Sequence, residues 1–178
     1  MHRLDLTSII DSKKTLIITC VECNIASDRE DKDQVFVYTS LGTVLYFQDP
    51  LLKENLRYYI CHKDCTQIII AGHLQCRALD YLMTSKSQEP RMKSLKGALR
   101  NLSEHTFTNL FAKHLHERML VESNVTRQAE QLLTYDFIDQ KVKQKLLSVI
   151  GVVAADNSKF LNTIFLNGIS FNKLTTMS

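Results

Sequence analysis

Nearly continuous apolar runs mark the predicted strands of this chain. TLIITC at residues 15–20 and CTQIIIAGH at residues 65–73 are rich in β-branched residues, and the first run turns polar over residues 21–23. Runs of this length and composition are typical of strands buried on both faces of a parallel sheet. VFVYTSLGTVL at residues 35–45 predicts another strand, which breaks at Gly42. These runs predict the centre of a mainly parallel sheet.

Helical periodicity appears between these strands. DPLLKENLRYYICHKD at residues 49–64 predicts a helix, because Asp49 can cap it and Pro50 is suited to its first turn. LQCRALDYLMTS at residues 74–85 becomes helical directly after an apolar run. Strands that alternate with helices favour an α/β domain whose parallel sheet is flanked by helices.

The second half of the chain predicts more helix and then a return to strands. Residues 85–145 are expected to be mostly helical, with a polar loop at residues 85–94. Apolar residues at helical spacing form a stripe made of Val125, Ala129, Leu132 and Leu133. The β-rich runs at 146–156 and 159–169 are separated by a short turn at Asn157-Ser158. They predict either a hairpin or one central strand beside one edge strand.

Composition narrows the class of protein. The 178 residues, 44% of them hydrophobic, are enough for a single domain over residues 1–178, with residues 1–14 as a short arm. A net charge of +3 does not argue for nucleic acid or membrane as a partner. No apolar run is long enough to span a membrane, and the opening residues do not resemble a secretory signal. These features predict a cytoplasmic protein whose cysteines are free thiols or metal ligands.

A cysteine and a histidine-cysteine pair follow two of the predicted strands. Cys20 ends the first run, and His73 and Cys76 follow the run IIIAG. The carboxyl ends of parallel strands lie at one edge of a sheet, where such folds bind ligands. Two thiolates and an imidazole are zinc ligands, and three protein ligands leave a fourth position open. The alternative is that the cysteines are small buried apolar residues and that the histidine is a hydrogen-bonded residue at a strand end.

Other cysteines offer weaker signals. Cys20 and Cys23 form a C-x-x-C pair, which leaves a metal-free thiol-redox protein as an alternative. Cys61 and Cys65 flank His62, but their position between a predicted helix and strand fits packing better than metal binding.

Several of these segments together resemble the β-class carbonic anhydrases. That family has a strand ending in C-x-D-x-R, a strand FV-x-R-N-A-G-N, the motif G-H-x-x-C-G and a helix containing E-N-V-x-x-Q. The corresponding segments of this chain occur in the same order, and the resemblance runs from about residue 15 to residue 170. They are CVECN at 20–24, VFVYTSLGTV at 35–44, GHLQCRA at 72–78, ESNVTRQAEQLLTYDFIDQKV at 122–142 and LLSVIGVVAADNSKF at 146–160.

The resemblance implies a fold, a metal and a reaction. It implies a mainly parallel sheet flanked by helices, with an antiparallel edge strand near the C-terminus. It implies that Zn2+ is bound by Cys20, His73 and Cys76, and that the reaction is reversible hydration of carbon dioxide to bicarbonate. It also implies a homodimer or a higher multiple of dimers. The apolar residues Phe36, Tyr38, Val44, Leu45, Tyr46 and Phe47 support an interface weakly.

The chain departs from the family pattern at its catalytic pair. Glu22 stands at the aspartate position, and Asn24 at the position of the arginine that holds this carboxylate away from zinc. Asn24 cannot supply a guanidinium fork. Glu22 is therefore expected either to become the fourth zinc ligand or to accept a hydrogen bond from the reacting water in an altered geometry. Arg77, at a glycine position of the family, is interpreted as facing solvent or capping a helix.

These departures predict that hydration of carbon dioxide is weak or lost. The alternatives are a non-catalytic, zinc-stabilised binding or assembly protein and the metal-free thiol-redox protein described above. The expected site residues are Cys20, His73 and Cys76 as metal ligands, with Glu22 as an additional ligand or an altered catalytic group.

Overall fold

A mixed sheet lies at the centre of the fold in the computed structural model. The structure describes residues 2–6, 9–10, 13–26, 34–90, 92–97, 99, 113–154 and 161–170. Its strands are β1 (His2–Asp5), β2 (Thr15–Cys20), β3 (Cys23–Ala26), β4 (Val35–Ser40), β5 (Gln67–His73), β6 (Ser148–Ala154), β7 (Leu161–Leu166) and β8 (Ile169–Ser170). The main sheet has six strands in the order β4-β2-β5-β6-β7-β8.

The predicted strand directions are confirmed. β4, β2, β5 and β6 are parallel, whereas β7 and β8 run antiparallel to their neighbours. β6 is a central strand and also pairs with β7, so parts of both predicted alternatives hold. The predicted turn at Asn157-Ser158 lies outside the described residues. A further turn at Asn167-Gly168 leads into β8, which the sequence pattern did not predict.

The N-terminal segment contains a strand that the sequence pattern did not predict. β1 pairs in parallel with β3, and His2 lies opposite Cys23 in this two-stranded ladder. Both strands have four residues, which is too short for alternation to stand out from chance. Leu6 and Ile10, which follow β1, are buried in the core.

The helices agree with the predicted segments. They are α1 (Pro50–Arg57), α2 (Arg77–Thr84), α3 (Lys113–Leu132) and α4 (Asp136–Lys143). Asp49 caps α1, because its carboxylate accepts a hydrogen bond of 2.9 Å from the Leu51 backbone N–H. A π-helical turn, Tyr58–His62, extends α1. The predicted loop is shorter than expected, because residues 92–97 are already helical.

Two glycines allow α3 to approach the sheet closely. All residues of β2 and β5 are buried, as expected for central parallel strands. A Cβ atom at Gly72 would come within 2.7 Å of the Val125 side chain and 2.9 Å of Val121. A Cβ at Gly151 would come within 2.9 Å of Val125. α3 therefore packs directly on the carboxyl half of β5, next to His73.

One premise of the expected interface is wrong. Val44 and Leu45 are 4% and 5% exposed, so they belong to the core of this chain and add no apolar surface. The other aromatic residues considered there are partly buried. On the edge strand β4, Val37 is the more exposed apolar residue, at 46%.

Candidate metal centre

The carboxyl ends of β2 and β5 bring the predicted ligands together. Cys20 is the last residue of β2 and His73 is the last residue of β5, and these strands are parallel neighbours. Cys76 is the N-cap residue of α2. Gln75, at a φ of 55°, turns the chain between the histidine and this cysteine. A short turn thus returns Cys76 to the same edge of the sheet.

The four candidate ligand atoms form a compact group. The atoms offered by Cys20, Glu22, His73 and Cys76 all lie within 4.8 Å of one another. The two sulfur atoms are 3.6 Å apart. Zinc–sulfur bonds of about 2.3 Å at a tetrahedral angle would place two sulfurs about 3.8 Å apart. The spacing of these side chains therefore fits a tetrahedral metal ion.

The His73 ring has one nitrogen oriented by the backbone. Its Nδ1 donates a hydrogen bond of 2.9 Å to the Leu74 carbonyl oxygen. A neutral ring that donates through Nδ1 carries its lone pair on Nε2, which is then the nitrogen able to bind a metal. Fixing the tautomer of a ligating histidine in this way is common in metal sites.

Hydrogen bonds favour a thiolate at the end of β2. Hydrogen bonds, the strongest from Cys76 and the next from His73, together lower the pKa of the Cys20 thiol to about 4 against the opposing effect of burial. The Glu22 backbone N–H donates to the Cys20 sulfur at 3.5 Å, and the Gly42 backbone contributes a weaker hydrogen bond that also lowers the pKa. The same pairing with Cys20, together with burial, raises the pKa of Cys76. This edge of the sheet therefore stabilises negative charge on sulfur.

The histidine provides the complementary positive charge. Burial opposes protonation of His73, but hydrogen bonds to Cys20 and Cys23 raise its pKa to about 10. A thiolate beside an imidazolium is the arrangement expected of a metal-free site, because a cation binds only after the ligands lose their protons. Metal binding at this group should therefore release protons.

Glu22 is held by the first turn of α2. Its Oε2 accepts a hydrogen bond of 3.1 Å from the Ala78 backbone N–H and lies 3.8 Å from the Cys76 sulfur. The N-cap side chain of α2 makes no capping hydrogen bond, so this carboxylate satisfies one of the unpaired N–H groups at the helix start. The carboxylate therefore has a backbone partner where the family pattern has an arginine.

Asn24 and Arg77, the other two substituted positions, have no described side-chain contact with the candidate ligands. Asn24 belongs to β3, where its backbone pairs with Arg3, and its side chain lies outside the described residues. Arg77 is exposed at the first position of α2, in agreement with its interpretation as a solvent-facing residue.

A tight turn after β4 lies against the ligand group. In the turn Leu41–Thr43, Gly42 and Thr43 both have a φ of 61°. Such a φ is unusual for a β-branched residue and costs on the order of 1–3 kcal/mol. The Thr43 hydroxyl donates to the Ala71 carbonyl oxygen at 3.1 Å, and the Thr19 hydroxyl donates to the same oxygen at 3.2 Å. These bonds tie the turn to β2 and β5 just before their ligand residues.

Two buried amides on α3 hold this turn, and sequence reasoning gave them no role beyond the family resemblance. Asn124 Nδ2 donates to the Gly42 carbonyl oxygen at 3.0 Å, and Gln128 Nε2 donates to Asn124 Oδ1 at 3.1 Å. The Leu45 backbone N–H donates to Gln128 Oε1 at 3.0 Å. Polar residues four positions apart within the buried apolar stripe of α3 were the signal that could have revealed them.

The remaining cysteines do not join the group. All five cysteines are free thiols. Among the described residues, the group around Cys20 is the one cluster of at least three potential metal ligands, and neither Cys61 nor Cys65 belongs to it. Cys23 is buried near His73, but it too lies outside the group.

Comparison with known proteins identifies the family. The sequence model described as "Carbonic anhydrase" matches residues 15–158. The carbonic anhydrase of Helicobacter pylori strain 26695 is 28% identical over 157 residues, which cover 77% of this chain and 69% of that protein. The chain therefore belongs to the carbonic anhydrase family.

Solved structures identify the class of fold. The wild-type β-carbonic anhydrase CafD of Aspergillus fumigatus superposes with a TM-score of 0.67 at 23% identity, covering 86% of this chain and 90% of that one. A tetrameric β-carbonic anhydrase of Sordaria macrospora gives a TM-score of 0.66 at 14% identity, covering 88% of this chain and 83% of the other. These similarities confirm the predicted β-class fold, and the match of the family model to residues 15–158 confirms the family resemblance. None of the helices in the described residues is both long and apolar enough to cross a membrane.

Proposed function

We propose that this chain binds one zinc ion through Cys20, His73 and Cys76, with Glu22 as the fourth ligand. The observation that carries the proposal is the convergence of these ligand atoms within 4.8 Å of one another at the sheet edge. Two sulfurs, one imidazole nitrogen and one carboxylate oxygen are all accepted by zinc at tetrahedral sites. The lowered pKa of Cys20 supports the proposal, because a thiolate is the form that binds metal.

The Glu22 carboxylate supports a closed site. Its Oε2 accepts from the Ala78 N–H and lies 3.8 Å from the Cys76 sulfur, so the carboxylate is already beside the other candidate ligands. Four protein ligands are typical of structural zinc, whereas catalytic zinc keeps one position for water or substrate. We therefore propose that hydration of carbon dioxide to bicarbonate, the family reaction, is slow in this chain.

In that reaction, Glu22 and the Ala78 N–H would have separate roles beside the metal. Zinc, when bound in such a site, makes water a nucleophile at near-neutral pH. In that reaction Glu22 would have to serve as a proton or hydrogen-bond acceptor for the reacting water and not as a metal ligand. The Ala78 N–H would keep one oxygen of the carboxylate beside the site in either role.

A non-catalytic role is the second candidate, and the same contact favours it. If Glu22 never leaves the metal, zinc ties β2, β5 and α2 together and serves stability, binding or assembly. The metal-free redox alternative through Cys20 and Cys23 has less support, because the sulfur that approaches Cys20 to 3.6 Å belongs to Cys76. Zinc content in protein purified without chelators separates this alternative from both zinc candidates.

We propose that the chain is a homodimer or a higher multiple of dimers. The tetrameric state of the Sordaria macrospora enzymes supports an oligomer, as does Val37, which is 46% exposed on the edge strand β4. Light scattering coupled to size-exclusion chromatography tests this, and a monomer at micromolar concentration would contradict it.

The activity of the chain can be tested by restoring the aspartate-arginine pair of the family. Zinc-loaded protein carrying Glu22→Asp and Asn24→Arg should hydrate carbon dioxide at least about ten-fold faster than the unmodified chain, because a shorter, paired carboxylate would open the fourth position. Stopped-flow hydration measures this rate. A matched control, Glu54→Asp with Asn55→Arg, makes the same chemical changes on the exposed face of α1 and should leave the rate unchanged. Rapid hydration of carbon dioxide by the unmodified chain would contradict the closed site.

A further inference from the structure

We propose that Asn124 and Gln128 are positioning residues for the metal centre, which hold the turn Leu41–Thr43 against the ligand-bearing segments. The inference rests on the zinc site proposed above and extends it to α3, an element that supplies no ligand. The inference is based on a continuous series of hydrogen bonds and close contacts. The series runs from α3 to the ends of β2 and β5 and to the start of α2.

The first contacts in this series connect α3 to the turn Leu41–Thr43. Asn124 and Gln128 are 1% and 2% exposed. Gln128 donates to Asn124 at 3.1 Å and accepts from the Leu45 backbone at 3.0 Å. Asn124 then donates to the Gly42 carbonyl oxygen at 3.0 Å. The middle of the turn and the segment that follows it are thus bound to one helix by two side chains that hydrogen-bond to each other.

The second step connects the turn to β2 and β5. The Val21 backbone N–H, next to Cys20, donates to the Ser40 carbonyl oxygen at 3.0 Å, where the turn begins. The Thr43 hydroxyl bonds to Ala71, two residues before His73. A shift of the turn would therefore reach both strand ends.

The third step connects the turn to α2. A Cβ atom at Gly42 would lie 2.6 Å from Leu79 Cδ2 and 3.3 Å from the Leu79 backbone nitrogen. This glycine packs against the first turn of the helix that begins after Cys76. The turn therefore contacts β2, β5 and α2, the elements at which the candidate ligands lie. Its positive φ values are unfavourable on their own, so contacts with the surrounding structure are needed to maintain them.

A purely structural role predicts a different outcome from a positioning role. If the amides only filled space between α3 and the sheet, apolar side chains of similar size would replace them with little change at the metal. If they position the turn, the geometry of the ligands should change while the fold remains. Loss of such outer partners typically weakens metal binding about 10–100-fold.

The experiment compares metal binding in matched variants. Asn124→Leu combined with Gln128→Met removes the hydrogen bonds while retaining side-chain volume. We expect its zinc dissociation constant to rise about 10–100-fold, and the thiolate-to-metal charge-transfer band of the Co2+-substituted protein to shift. The control is Gln67→Met, which removes another buried amide at the opposite end of β5, where it accepts from Thr15 at 3.0 Å. The control should retain both the affinity and the cobalt spectrum of the unmodified protein.

Each outcome decides the proposal. A folded double variant with unchanged zinc affinity and cobalt spectrum would overturn it, as would equal losses in the variant and the Gln67→Met control. If the double variant does not fold, Gln128→Met alone should give a smaller loss of affinity, and unchanged affinity in this variant would overturn the proposal. Absence of cobalt and zinc binding by the unmodified chain would overturn the zinc site itself and this inference with it.

Discussion

Two buried cysteines at opposite ends of the central strands differ sharply in their chemistry. Cys20 and Cys65 are 0% and 2% exposed. Hydrogen bonds, the strongest from Cys76, lower the pKa of Cys20 to about 4, whereas burial raises the pKa of Cys65 to about 11. Burial alone therefore keeps a thiol neutral, and convergent hydrogen bonds are what make a buried thiol a thiolate.

The two edges of the sheet explain the difference. At the amino edge, the Thr15 hydroxyl donates to Gln67 Oε1 at 3.0 Å, which pairs two neutral groups. At the carboxyl edge, the turn into α2 returns a second cysteine and the N-terminus of a helix toward β2. The connections that follow the strands, more than the strands themselves, make one edge suitable for a cation.

The largest expected effect is loss of the metal on removal of the thiolate. Cys20→Ala should reduce zinc from about one equivalent per chain to a small fraction, because one of two sulfur ligands is lost. Cys65→Ala, with the same change at the amino edge, should retain about one equivalent. Elemental analysis after dialysis measures both. Equal zinc content in the two variants would remove the distinction between the edges.

Removal of the metal should lower stability strongly in the unmodified chain. A ligand present at 1,000 times its dissociation constant stabilises the folded state by about 4 kcal/mol, so a strong chelator should lower Tm by about 8–16 °C in a chain of this size. Differential scanning fluorimetry with and without chelator measures the shift. Cys20→Ala supplies the comparison, since its Tm should not respond to chelator.

An intermediate effect is expected where α3 meets the carboxyl edge. Gly72→Ala would place a Cβ within 2.7 Å of Val125, so we expect a loss of about 1–3 kcal/mol in the free energy of unfolding. Gly97→Ala is the matched control, because residues 92–97 are helical and, among the described residues, no atom outside its own helix backbone and chain neighbours lies within 4 Å of the added carbon. It should be neutral or stabilise by up to about 1 kcal/mol. Urea titration compares the variants, and equal effects would contradict the close packing.

The smallest expected effect is a pH dependence from Cys65. The folded chain retains this proton up to about pH 11, while the unfolded chain loses it near the ordinary value of 9.0. The stabilisation that the neutral Cys65 thiol contributes is therefore present below pH 9 and lost as pH rises from about 9 to 11. The difference in urea stability between the unmodified chain and Cys65→Ala should narrow over this range. A constant difference would mean that burial does not raise the pKa.

Local sequence patterns were sufficient to predict the strands and helices that frame the site. The continuous apolar run before His73 and the Asp49-Pro50 start of α1 both produced the expected elements. β1 and β3 were missed because their pairing is long-range and each has only four residues. β8, with two residues, carries no periodicity.

The grouping of the site residues was predictable, but their supporting contacts were not. Parallel neighbours and a short connection were enough to place Cys20, His73 and Cys76 together. The hydrogen bond from Ala78 to Glu22 spans 56 residues and depends on the direction of α2, which no local pattern specifies. Likewise, the contact of Asn124 with Gly42 depends on how α3 packs on the sheet.

X-ray absorption at the zinc edge, on protein purified without chelators, tests the proposed metal centre most directly. We expect about one zinc per chain with two sulfur ligands at about 2.3 Å and two nitrogen or oxygen ligands at about 2.0–2.2 Å, and loss of one oxygen or its replacement by water in Glu22→Ala. A chain without zinc, or a zinc shell that lacks sulfur, would contradict the proposal that Cys20, His73 and Cys76 bind one ion.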